Sequence, residues 1–179
     1  MESIDHELSL LKDAVKAAFA GTKFHGKHPE NIVNDIFGER ERLAPLFLGK
    51  KWEDWVDNPL GMFAPHPFCG GLLFMDPDAF RYYLPVLLLA CTAQRNQCPN
   101  LDDELIRMLT RPEDEHRQFW HECVVGELTK PQLLAVLQAL EFIDKHGGPS
   151  GPPAGDFHAY IARASNSVSH FLKSHEEPG

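Results

Sequence analysis

Asp76-Pro77-Asp78-Ala79-Phe80-Arg81-Tyr82-Tyr83-Leu84-Pro85, continuing through Val86 to Ala93, is the stretch that decides the fold. Asp76 is placed to cap free helix amides, Pro77 is preset for a first turn and Asp78 complements the helix dipole. From Ala79 onward the stretch is apolar nearly all round, which a helix tolerates when neighbours cover it on every side. The string therefore predicts a central buried helix over Ala79 to Ala93, with Pro85 removing one backbone hydrogen bond and kinking it. Arg81 stands out, because a buried guanidinium on such a helix needs a carboxylate or carbonyl partner.

On the N-terminal side, Ile4, Leu8, Leu11, Val15, Ala18 and Phe19 recur at helical steps, predicting a helix from about Ser3 to Ala20 that Gly21 ends. A second apolar stripe, Ile32, Val33, Ile36 and Phe37, predicts a short helix, and a third piece is expected near Arg40 to Leu48. Between residues 52 and 75 no period fits. Trp52, Trp55, Met62, Phe63, Phe68 and Phe74 alternate with Gly and Pro, so the segment reads as a long aromatic loop anchored to the core.

On the C-terminal side, Thr110-Arg111-Pro112-Glu113 and Thr129-Lys130-Pro131-Gln132 both carry the capping-box pattern of a helix start. The second leads into a stripe of Leu133, Val136, Leu137, Leu140 and Ile143. Residues 146–155 are rich in Gly and Pro and read as a flexible linker. A last amphipathic helix, with Asp156 as cap, comes after the linker, and its apolar face must dock on the body or on a second chain. A length of 179 residues favours one domain over two. The expectation is an all-α, irregular single-domain bundle of about six to eight helices over residues 1–173, with a disordered tail at 174–179.

The formal net charge of −9 speaks against a nucleic-acid binder, whose affinity rests on cations neutralising phosphates. The first residues are acidic and lack a basic stretch followed by an apolar run, and no apolar segment is long enough to span a bilayer. Cys69, Cys91, Cys98 and Cys123 are widely spaced and form no C-x-x-C pair. Together these features predict a cytoplasmic protein with reduced thiols and no membrane or nucleic-acid partner.

No coherent active site emerges. Gly21 to Lys27 matches the glycine and lysine spacing of a phosphate loop, but His28 stands where Ser or Thr should hold magnesium and a helix precedes it instead of a strand. His116 and His121 are five apart, roughly 140° around a helix, and cannot both face one ion. Glu113 and Arg117 instead suit an exposed ion pair at i, i+4. Ser165, Ser167, Ser169 and His170 lack a nucleophile elbow. His66 and Cys69, with Asp57 or Asp76, are a conceivable catalytic pair whose geometry nothing fixes. The expectation is a protein that is not an enzyme and carries no cofactor and no metal.

The string from Asp76 to Pro85 resembles a motif, roughly F-x-[ST]-P-E-A-[FW]-R-Y-Y-L-P, of a family of small uncharacterised bacterial proteins, some of which look like immunity proteins neutralising a neighbour's toxin. Here Asp76 and Asp78 replace the usual Ser/Thr and Glu. Leu128-Thr129-Lys130-Pro131-Gln132 is similar to a second element of the same proteins, L-[ST]-x-x-Q before a helix. The resemblance implies a non-enzymatic inhibitor whose partner is a cognate protein toxin. The acidic residues Asp102, Asp103, Glu104, Glu113, Asp114 and Glu115 concentrate negative charge and are the expected binding surface for a basic toxin. The competing expectations are a small enzyme or ligand-binding protein with a pocket walled by the 52–75 loop, and a homodimer that exchanges its last helix.

Overall fold

The computed structural model describes residues 3–24, 41, 44–45, 47–63, 75–93, 101–146 and 157–175. Among these the chain forms six α-helices and no strand: α1 (Ile4–Phe19), α2 (Pro77–Ala93), α3 (Leu101–Leu109), α4 (Glu115–His121), α5 (Lys130–His146) and α6 (Phe157–Ser174). Two 3₁₀ turns, Trp52–Trp55 and Pro59–Phe63, lie between α1 and α2, and a π turn, Glu122–Gly126, extends α4. The fold is all-α.

α2 is the centre. From Tyr82 to Thr92 every side chain is buried, and α1, α3, α5, both 3₁₀ turns and the π turn pack around it. Its start follows the local signals, since Asp76 Oδ1 accepts from the Asp78 amide at 3.1 Å and its carbonyl from the Phe80 amide at 2.9 Å. Pro85 sits inside the helix, where it has no N–H to give to the Arg81 carbonyl.

α1 begins with Ser3 accepting from the His6 amide at 3.3 Å, and it buries Leu11, Val15 and Phe19. Gly21 then takes φ +75°, the left-handed conformation that stops a helix. The 32–37 stripe lies outside the described residues; positions 41, 44, 45 and 47 are helical, as expected for the third piece. In its described part the aromatic loop gives Trp52, Val56 and Met62 to the core. The Tyr83 hydroxyl pins the chain just before it, sharing its hydrogen between the Phe47 carbonyl at 2.7 Å and the Lys50 carbonyl at 3.0 Å. Lys50 donates to the Met62 carbonyl and lies 5.1 Å from the Trp55 ring centre.

The two capping boxes behave differently. At Thr129 the side-chain half forms, Gln132 Oε1 accepting from the Thr129 amide at 3.0 Å, and α5 starts there. At Thr110 the box does not form. Its hydroxyl donates back to the Ile106 carbonyl at 2.8 Å and closes α3, so the next helix starts later, with Asp114 Oδ1 accepting from the Arg117 amide at 3.1 Å. A hydroxyl that can satisfy the end of one helix is not available to begin another.

α6 docks on α5 of its own chain and also touches α3 and the π turn. At the π turn a Cβ on Gly126 would lie 3.1 Å from the Phe171 ring, so glycine lets α6 approach this closely. Ser167 Oγ accepts from the Arg111 amide at 2.9 Å and donates to the Arg163 carbonyl at 2.9 Å, a structural pin between α6 and the α3–α4 connection.

Candidate functional site

The expected acidic surface splits in two. Asp102, Asp103 and Glu104 occupy the first turn of α3, a helix that sequence reading did not mark, and Asp102 is only 1% exposed and Glu104 8%. The assumption that these side chains form an open face is therefore corrected. Carboxylates in a first turn are favoured by the positive end of the helix dipole, which eases their burial. Glu104 also lies 3.7 Å from Arg107, and Tyr160 of α6 donates to the Asp103 carbonyl at 3.5 Å.

Glu113, Asp114 and Glu115 do lie on the surface, at the start of α4. α4 turns Trp120 inward, edge-on to Phe80 at 5.3 Å, with its indole nitrogen donating to the Met75 carbonyl at 3.4 Å. Phe119 consequently points out and is 72% exposed, the most exposed large apolar side chain among the described residues. Glu115 precedes it by four positions and exposed Glu122 follows it by three, which makes both its neighbours on the helix surface. The result is an aromatic ring with carboxylates on both sides, Glu122 lying 3.8 Å from Arg111, and Arg117 is the one Lys or Arg between Glu113 and Glu127. Sequence reading missed Phe119; the signal for it was an apolar residue out of phase with Trp120 and Val124.

A second feature lies where α1, α2 and α5 meet, a cleft of about 580 Å³. It gathers Asp78, Arg81 and Tyr82 from the first family-like segment and Leu128, Thr129 and Gln132 from the second, with Thr22 and Lys23 completing the wall. Arg81 finds both kinds of partner its position demands: its guanidinium pairs with Asp78 and donates to the Cys123 carbonyl at 2.8 Å, with Glu127 at 3.8 Å. Gln132 Nε2 donates to Thr22 Oγ1 at 3.1 Å, joining the end of α1 to the start of α5. The Tyr82 ring lines the cleft, its phenol pushed above the usual range mainly by burial and secondarily by Glu53.

The remaining sequence candidates do not assemble. His121 is buried, its Nε2 donating to the Leu109 carbonyl at 3.0 Å, and burial pushes its pKa down. Among the described residues no three His, Cys, Asp or Glu side chains gather as metal ligands. Cys91 is buried and Cys123 half-buried, neither in a disulfide. His66, Cys69 and the segment from His25 to Lys27 lie outside the described residues, as does the side chain of His116. No described helix is long and apolar enough to cross a membrane.

Fold and sites together define an all-helical protein with an acidic, aromatic-centred face on one element and a polar cleft among three others. The chain belongs to a family of unknown function, DUF6714, whose model matches residues 7–150. That span holds both the α4 face and the cleft and stops short of α6. No curated protein and no solved structure matches the chain.

Proposed function

We propose that this protein is a non-enzymatic inhibitor of the immunity type, which neutralises a basic protein toxin by binding it on the acidic face around Phe119. The single observation that carries the reading is the 72% exposure of Phe119 beside Glu115 and Glu122. An aromatic side chain left in water at this scale is characteristic of an interface anchor, and carboxylates around it steer a cationic partner and exclude an anionic one. The resemblance of Asp76–Pro85 to a motif of immunity-like proteins supports the same reading. Of the surface expected from sequence, this reading keeps Glu113, Asp114 and Glu115 at the start of α4 and leaves out Asp102 and Glu104, which are buried.

The test is binding to the product of the adjacent gene, followed by surface-immobilised kinetics with wild type and Phe119→Ser. Loss of a buried aromatic anchor should weaken binding by about tenfold or more with no loss of melting temperature. Wild-type affinity in Phe119→Ser, or an adjacent product that does not bind, would overturn the proposal.

A further inference from the structure

We propose that the cleft between α1, α2 and α5 binds a small zwitterion of free-amino-acid or dipeptide size, independently of the α4 face. Its volume of about 580 Å³ falls within the range of small-ligand sites. Its polar groups fall into two poles, and the hydrogen bonds show how. Thr22, Gln132 and Thr129 are linked to one another through the Gln132 side chain. Lys23 follows Thr22 directly and makes no ion pair among the described residues. This pole also holds the first turn of the 17-residue helix α5, whose dipole favours an anion. It offers an ammonium and two hydroxyls to a carboxylate.

The other pole is built on Arg81. Asp78 pairs with it directly and Glu127 stands 3.8 Å away, so two carboxylates meet one guanidinium whose Nη1 is already held by the Cys123 carbonyl. The local excess is negative, and the carboxylate oxygens not used by Arg81 can accept from an ammonium group. Tyr82, Ala18 and Leu128 also line the cleft and give it apolar surface for a side chain. A ligand with one charge of each sign fits this arrangement, whereas a simple anion would meet Asp78 and Glu127 and a simple cation would meet Lys23.

The test uses the full chain with a panel of free amino acids and dipeptides, their N-acetylated and C-amidated derivatives, and inorganic phosphate. Thermal shift identifies a responder and titration calorimetry gives its Kd. We expect at least one zwitterion to bind, and both N-acetylation and C-amidation to weaken it by about tenfold or more. Lys23→Met should weaken the parent compound while leaving the C-amidated form unchanged. Glu127→Gln should do the same with respect to the N-acetylated form. Both side chains are exposed, so each variant should keep the ligand-free melting temperature. No response across the panel, a response to phosphate alone, or a blocked derivative binding as well as its parent would overturn the proposal.

Discussion

Arg81 Nη1 donates to the Cys123 carbonyl at 2.8 Å, bridging the central helix to the π turn 42 positions along the chain. A π turn disturbs the regular backbone ladder and leaves carbonyls in need of donors. Arg81 serves one of them while pairing with Asp78 on its own helix, so one side chain fixes the wall of the cleft and the end of α4 together.

Arg81→Met should therefore destabilise the protein by about 1.5–3 kcal/mol, the range for hydrogen bonds involving a charged group. Arg81→Lys should recover only part of this, because an ammonium lacks the planar fork that serves two partners in fixed directions. Urea unfolding of the three proteins measures it. Equal stability of wild type and Arg81→Met would show that the bridge contributes nothing.

Tyr83 ties the centre of the core to the chain ahead of the aromatic loop. Tyr83→Phe keeps the ring against Phe47, 5.0 Å away, and removes only the hydroxyl, so about 1–3 kcal/mol should be lost. Tyr83→Ala should cost more, roughly 3–5 kcal/mol, because a cavity opens as well. Burial, and then Tyr82, push the Tyr83 phenol well above its usual range. The folded state thus retains a proton that the unfolded chain releases near pH ~10, and stability should fall as pH rises beyond that value. Tyr83→Phe should make this alkaline decline shallower, leaving the parts due to Tyr82 and Tyr160, whose phenols burial also raises.

His121 should govern the mildly acidic range. Burial lowers its pKa most, the Leu109 carbonyl and Glu122 act in the opposite direction, and Arg111 adds to the lowering. Its Nδ1 is buried without a partner among the described residues, so the neutral ring fits and the charged ring does not. The folded value is depressed. The contribution is therefore complete above the unfolded pKa of about 6.5 and is lost as pH falls through the folded value. Glu7 and Asp57 are held below their usual range, chiefly by hydrogen bonds from Lys145 and Lys12, so their contributions are lost only further down, in the carboxylate range. His121→Phe should be less stable at neutral pH and should lose the decline in the interval below about pH 6.5. A decline identical to wild type in urea melts across that interval would assign it to another group.

The sequence made local relationships legible and left distant ones hidden. Asp76, Pro77 and Asp78 announce the start of α2 because capping acts within one turn, and the run from Tyr82 to Thr92 announces burial because no face of it is polar. The need of Arg81 for a partner was also readable. That the partner would be Cys123 was not, since the contact depends on how the π turn packs. The acidic string at Asp102 looks like a solvated face because charge is usually exposed, and its burial depends on how α3 packs against α2 and α6, which no local signal announces. The cleft draws on segments more than a hundred positions apart, as the Gln132 to Thr22 hydrogen bond shows.

That division of the acidic residues leads to a final prediction, in which charge reversal separates the buried set from the surface set. Asp102→Lys places an ammonium where the side chain is 1% exposed and should cost about 3–5 kcal/mol. Glu113→Lys with Glu115→Lys changes exposed positions and should move stability by no more than about 0.5 kcal/mol per site. Asp114 is best left intact, because its carboxylate caps α4 through the Arg117 amide and its loss would cost about 1 kcal/mol for reasons unrelated to binding. Against the basic toxin proposed as its partner, the Glu113/Glu115 double variant should associate more slowly at low salt. The difference should shrink at high salt, where exposed charges are screened beyond about 8–10 Å. An unchanged association rate at low salt would remove the acidic face from the mechanism. A wild-type melting temperature for Asp102→Lys would place the first turn of α3 on the surface after all.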